Sequence, residues 1–140
     1  MSNLIFVNLP VVDLGRATAF YEALGASKNP QFSDDTASCI VFSDIIHVML
    51  LTYDKFREFT AKKIVDAKDS SEVLICISVE TREEVDALVA KADAAGGKLD
   101  PCPKQQYDFM YGRSFEDMDG HIWEVMWMDV TTMAAMSDNG

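Results

Sequence analysis

The chain has 140 residues, 49% of them hydrophobic and 25% charged, which is the make-up of a globular domain rather than a disordered segment. Its 12 basic and 23 acidic residues leave a net charge of −11, which excludes nucleic-acid and anionic-membrane partners, since both need clustered Lys and Arg. Three cysteines (Cys39, Cys76 and Cys102) are odd in number and form no C-x-x-C pair, as expected of reduced thiols in the cytoplasm.

Residues 3–12 (NLIFVNLPVV) combine β-branched and aromatic types and predict a buried first strand. The stretch lacks a basic start and a cleavage site, and Asp13 closes it too early for a membrane span. Asp13 is placed to cap a helix whose apolar stripe is Ala17, Phe20, Tyr21 and Leu24, with Gly25 as its stop. Strands are predicted over 27–32, 37–42 and 45–52, the last two joined by a tight turn at Ser43 and Asp44. Residues 53–69 are polar, mixed in charge and helix-prone, and read as a connector or lid. Lys55, Arg57, Lys62 and Lys63 within it make a solvated helix face or, alternatively, an anion-attracting lid.

The pattern then restarts. A strand over 72–79 leads into Thr81 and Glu84, the spacing of a capping box. Val85, Leu88, Val89 and Ala92 form the stripe of a second helix that ends at Gly96 and Gly97, and strands follow over 98–101, 109–115 and 121–127. HVMLL at 47–51 resembles HIWEV at 121–125, so the order strand, helix, three strands occurs twice. The expectation is an α+β fold of two βαβββ modules, residues 3–52 and 72–128 joined by linker 53–71, their mixed sheets curving around a cleft within a single domain of residues 1–140.

VVDLGRATAFYEALG (11–25) and FEDMDGHIWEV (115–125) resemble the two signature stretches of the vicinal oxygen chelate superfamily, which includes glyoxalases, extradiol dioxygenases and the fosfomycin- and bleomycin-resistance proteins. NLPV and FMYGRSFEDMDGHIWEVMWMD resemble a glyoxalase-like subgroup of it. The resemblance implies the duplicated fold and, through relatives that pair modules across a two-fold axis, a homodimer. In metal enzymes of the family it implies four ligands, on the first and last strand of each module. Carried onto this chain, those positions are Phe6, Leu50, Leu74 and Glu124, so one oxygen donor remains. Asn8 is the nearest polar alternative on the first strand. His47 and His121 each precede a ligand position by three residues, which puts them on the opposite strand face. No metal or other cofactor is therefore expected.

By alternation, Phe6, Asn8 and Pro10, then Ile46, Val48 and Leu50, then Leu74, Cys76 and Ser78, and finally Ile122, Glu124 and Met126 are assigned to the cleft. Trp123 and Trp127 are assigned to the helix side. Asn8, Cys76, Ser78 and Glu124 are the polar points of an otherwise apolar pocket for a small organic ligand. Glu124 has three readings: a partner of Arg113 on the neighbouring strand, a partly desolvated catalytic base, or an anchor for an amine or hydroxyl. Cys76 reads as packing on a buried strand, with Cys102 more accessible between two prolines. Met110, Met118, Met126 and Met128 read as core or dimer seam, or as an adaptable lining. The functions that follow are a metal-independent binder of a small molecule, a glyoxalase-like lyase with a relocated metal or Glu124 as base, or a structural or regulatory dimer.

Overall fold

The computed structural model describes residues 3–131. They divide into two compact units. The first runs to Ser70 and takes in the turn Met118–His121; the second comprises Ser71–Asp117 and the described residues from Ile122.

In the first unit, β1 (Ile5–Val11) leads into α1 (Leu14–Ala23), followed by β2 (Ser27–Asn29), a short 3-10 turn at Pro30–Phe32, β3 (Ala37–Val41), β4 (Ile46–Thr52) and the one-turn helix α2 (Tyr53–Arg57). The sheet order is β1-β4-β3-β2, with β1 parallel to β4 and the other pairs antiparallel. Asp13 caps α1, its carboxylate accepting the Arg16 amide at 3.0 Å. Gly25 follows the helix at φ +103°, a conformation that costs a residue without a Cβ very little. Ala17, Phe20, Tyr21 and Leu24 are buried, as their spacing predicts. The connector is less helical than its composition suggests, for only Tyr53–Arg57 forms helix.

The second unit repeats this plan. β5 (Ile75–Ser78), α3 (Arg82–Ala94), β6 (Lys98–Leu99), β7 (Gln105–Tyr107), β8 (Met110–Glu116) and β9 (Ile122–Met128) form a five-stranded sheet of order β5-β9-β8-β6, with β7 also on β8. β5 runs parallel to β9 and the remaining pairs are antiparallel. Together β6 and β7 occupy the β8 edge that β2 alone occupies on β3. β7 has no counterpart in the sequence reading. Thr81 Oγ1 accepts the Glu84 amide at 3.1 Å, and the Glu84 carboxylate returns to the Glu80 amide at 2.8 Å, one residue earlier than a standard capping box. Val85, Val89 and Ala92 of α3 pack with Phe115, Trp123 and Val125, all fully buried. At about 1.5–3 kcal/mol for each large apolar side chain, this layer fixes which face of the sheet is closed. Among the described residues no helix is long and apolar enough to cross a membrane.

The turn that ends in β9 belongs to the first unit. Asp119 accepts the Val12 amide at 2.9 Å, and His121 Nε2 lies 2.8 Å from the Pro10 carbonyl. Gly120 sits at φ +93°, and a Cβ there would lie 2.6 Å from Lys68 N and 2.7 Å from Ala67 C. The glycine is required both by its conformation and by this backbone approach.

Candidate functional site

Each sheet has one face closed by its helix and one face free of it. In the first unit, Ser38 receives a hydrogen bond from Thr18 of α1 at 2.8 Å, which identifies the helix-covered face. Ser38 pairs with Leu50, and Leu50 with Leu9, so Leu50 is packed toward α1 and fully buried. Its assignment to the cleft, along with that of Ile46 and Val48, is corrected. The free face instead carries Phe6 with His47, Asn8 with Met49, and Pro10 with Leu51. Register decides this: Phe6 pairs with His47, and that one-residue offset reverses the parity assumed for β4. The Phe6 and His47 rings stack with centroids 4.6 Å apart, Phe6 remains 49% exposed, and His47 Nδ1 is buried without a hydrogen-bond partner.

In the second unit, Cys76 pairs with Glu124, Ser78 with Met126, Ser114 with Glu124 and Gly112 with Met126. These residues share the face turned away from α3, as the alternation around Glu124 predicts, and Leu74 stands exposed just before β5. Cys76 is exposed there rather than buried. Although the residue is exposed, partial desolvation of its thiol by the surrounding atoms, and secondly the charge of Glu124, push its pKa up, which lowers its thiolate fraction at neutral pH. Ser114 is buried, its hydroxyl accepting the Cys102 amide at 3.0 Å.

Arg113 does not reach Glu124. It pairs in register with Val125, on the face under α3, where it donates to Asp100 Oδ2 at 2.7 Å and Asp86 Oδ1 at 3.1 Å. Tyr111 adds a hydrogen bond to Asp86 at 2.6 Å. The Arg113 hydrogen bonds hold Asp100 below the usual carboxylate range, and those from Tyr111 and then Arg113 do the same for Asp86. The predicted Glu124–Arg113 pair is therefore replaced by an Asp86–Arg113–Asp100 network that fastens α3 and the end of β6 to β8. Glu124 itself, half-buried, meets no hydrogen-bond donor and no cation among the described residues.

Sequence reasoning also missed the group beside this face. Arg82 at the start of α3 donates to the carbonyls of Tyr107 (2.6 Å) and Asp108 (3.1 Å) and lies 4.7 Å from the Trp127 ring centroid. It thereby holds the β7–β8 turn, on which Tyr107 and Phe109 stack at 5.6 Å. Depressions of about 260 and 530 Å³ in the first unit flank α1, with Asp13, Arg16, Lys68 and Asp119 around one and Glu22, Lys28, Asp34 and Asp35 around the other. Asp13, Asp119 and Asp34 already accept backbone amides, so these depressions offer few uncommitted acceptors.

The sequence profile of the Glyoxalase/Bleomycin resistance protein/Dioxygenase superfamily matches residues 3–125. The chain belongs to that superfamily. Its fold is similar to that of the hypothetical protein SA1046 from S. aureus, at 32% identity and a TM-score of 0.74, covering 91% of this chain and 95% of that one. A glyoxalase/bleomycin resistance protein/dioxygenase family enzyme from Burkholderia phytofirmans PsJN is similar at 20% identity and a TM-score of 0.72, over 91% and 99% of the two chains. The fosfomycin resistance protein FosX from Listeria monocytogenes is similar at 19% identity and a TM-score of 0.65, over 91% and 93%. No curated protein matches the chain.

Metal enzymes of the superfamily hold a divalent ion with nitrogen and oxygen donors, and the residues present here do not fit one. Phe6 and Leu74 offer no donor, Leu50 offers none and is turned toward α1, and Glu124 stands beside a thiol and a committed serine. Neither histidine supplies a replacement set: among the described residues no three His, Cys, Asp or Glu side chains come together in a way that could hold a metal.

Proposed function

We propose that the protein is a metal-independent binder of a small organic molecule, held on the free sheet face of the second unit with Glu124 as its polar anchor. The observation that carries this reading is the carboxylate of Glu124, unpartnered among the described residues and placed among Cys76, Ser78, Ser114 and Met126 on the face turned away from α3. A carboxylate that no donor or cation of the described residues occupies is open to a ligand's ammonium or hydroxyl. The fosfomycin resistance proteins of similar fold share under 20% of their sequence with this chain and lend it the fold alone. Taken by itself, the first unit exposes Phe6 and Asn8 on its own free face. We take the working form to be a homodimer, supported by the exposed apolar side chains of Leu4, Ile5 and Ile45.

Native mass spectrometry of gently purified protein, with elemental analysis, tests this reading and counts the subunits. The expected result is a metal-free protein that retains an organic mass, lost in Glu124→Gln. One divalent metal per subunit overturns the proposal. The same unpartnered carboxylate supports a second reading, a metal-free enzyme with Glu124 as general base. In that case a turnover found with any substrate disappears in Glu124→Gln while the thermal unfolding curve stays in place.

A further inference from the structure

We propose that the occupant of this face is an elongated organic monoamine, its ammonium on Glu124 and its apolar tail laid past Met126 toward the Tyr107–Phe109 aromatic pair. The assignment rests on the small-molecule reading above and names its ligand class.

The register lays the face out in rows. Ser114, Glu124 and Cys76 form one row, and Gln105, Gly112, Met126 and Ser78 form the next. Tyr107, Met110 and Met128 form the row beyond. From Glu124 to Met128 is four residues along β9, about 13 Å at the usual rise of a strand. Gly112 brings no side chain to the middle row, where a Cβ would touch the Gln105 side chain at 3.5 Å and the Val125 carbonyl oxygen at 3.6 Å, so Met126 and Gln105 are the side chains a tail would pass. The far row ends on Tyr107, 51% exposed and stacked on Phe109.

Charge selects the head group. Neither register neighbour of Glu124 is a cation, and Arg113 and Arg82 are committed elsewhere. An anionic ligand would be repelled, a neutral one would leave the carboxylate short of a strong partner, and an ammonium supplies charge-assisted hydrogen bonds. The two rows beyond Glu124 carry no second carboxylate, which favours one amine over a polyamine. Methionine side chains adapt to an unbranched tail, and an aromatic terminus stacks on Tyr107.

Isothermal titration calorimetry with 5-phenylpentylamine, 5-phenylpentanol and 6-phenylhexanoate separates the three head groups on nearly one tail. The amine is expected to bind at least about tenfold more tightly than the alcohol, with no measurable binding of the carboxylate. Shortening the tail from five methylenes to two weakens the amine by roughly fourfold per methylene removed. Glu124→Gln lowers the amine to the affinity of the alcohol and leaves the alcohol unchanged. Tyr107→Ala weakens the five-carbon amine and spares the two-carbon one, with both variants checked for unaltered circular dichroism. Equal binding of amine and alcohol, untouched by Glu124→Gln, overturns the amine class and leaves the binding function standing. Absence of binding by every probe to folded wild-type protein also overturns the class, and the retained-mass experiment then reads the wider proposal independently.

Discussion

Replacing Gly120 with alanine and comparing it with Gly25→Ala measures how tightly the Met118–His121 turn is seated. Both glycines have φ near +100°, so both variants carry a similar backbone penalty of about 1–2 kcal/mol. At Gly25 nothing lies within 4 Å of the new methyl group, whereas at Gly120 it meets backbone atoms of Ala67 and Lys68 at 2.6–2.8 Å. Backbone moves less readily than the end of a side chain, so overpacking adds roughly 2 kcal/mol at Gly120. For a domain of this size about 4 °C of Tm accompanies each kcal/mol. Differential scanning calorimetry should then show a fall of about 4–8 °C for Gly25→Ala and about 12–16 °C for Gly120→Ala. Losses within about 2 °C of each other would refute the close approach of the turn to the 67–68 backbone, because the conformational penalty alone would account for both.

Three further expectations concern the second unit. Arg113→Met leaves Asp86 and Asp100 without their cation and should cost about 1–3 kcal/mol in urea unfolding at pH 7. In the wild type both carboxylates have folded-state pKa values below their unfolded ones, so their contribution is complete above about pH 4 and is lost as pH falls through the folded values. Stability measured from pH 6 to pH 2 should therefore fall less steeply in Arg113→Met, and an unchanged slope would count against the network. Arg82→Lys cannot span both the Tyr107 and Asp108 carbonyls while covering the Trp127 ring, and should cost about 1 kcal/mol with a change in tryptophan emission; unaltered emission would argue against the stack. Iodoacetamide at pH 8 should spare buried Cys39 and modify exposed Cys76 more slowly than an unperturbed thiol. Glu124→Gln should accelerate Cys76 by removing the adjacent charge, and mass mapping of the labelled peptides that shows no acceleration contradicts their adjacency.

What the sequence made legible was whatever depends on spacing along one element. Asp13 and Thr81 announce their helices, the stripes of α1 and α3 bury as spaced, and Glu124 with Trp123 sorts β9 into two faces. What it hid depends on how strands meet. Strand periodicity is two, so an error of one residue in pairing exchanges the faces. That is how Leu50 went to the cleft and His47 to the core side, and why Arg113 was matched with a carboxylate on the far face. β7 was missed for a different reason. Gln105–Tyr107 is three residues long, largely polar and follows a proline, so it carries no alternation to detect; its order comes from β8 and from Arg82, which is remote in sequence.

The first unit is not continuous in the chain, and this bears on how the protein is made. Residues up to Ser70 leave the ribosome without the turn that holds the Pro10 carbonyl and the Val12 amide, and that turn ends at His121, 51 residues later (121 − 70). At 5–20 residues per second this is a wait of about 3–10 s. During it the end of β1 stands without two of its hydrogen-bond partners, and the newly made half is exposed to chaperones and proteases. The first unit is therefore finished only once His121 has been synthesised, although its own strands and helices are complete long before.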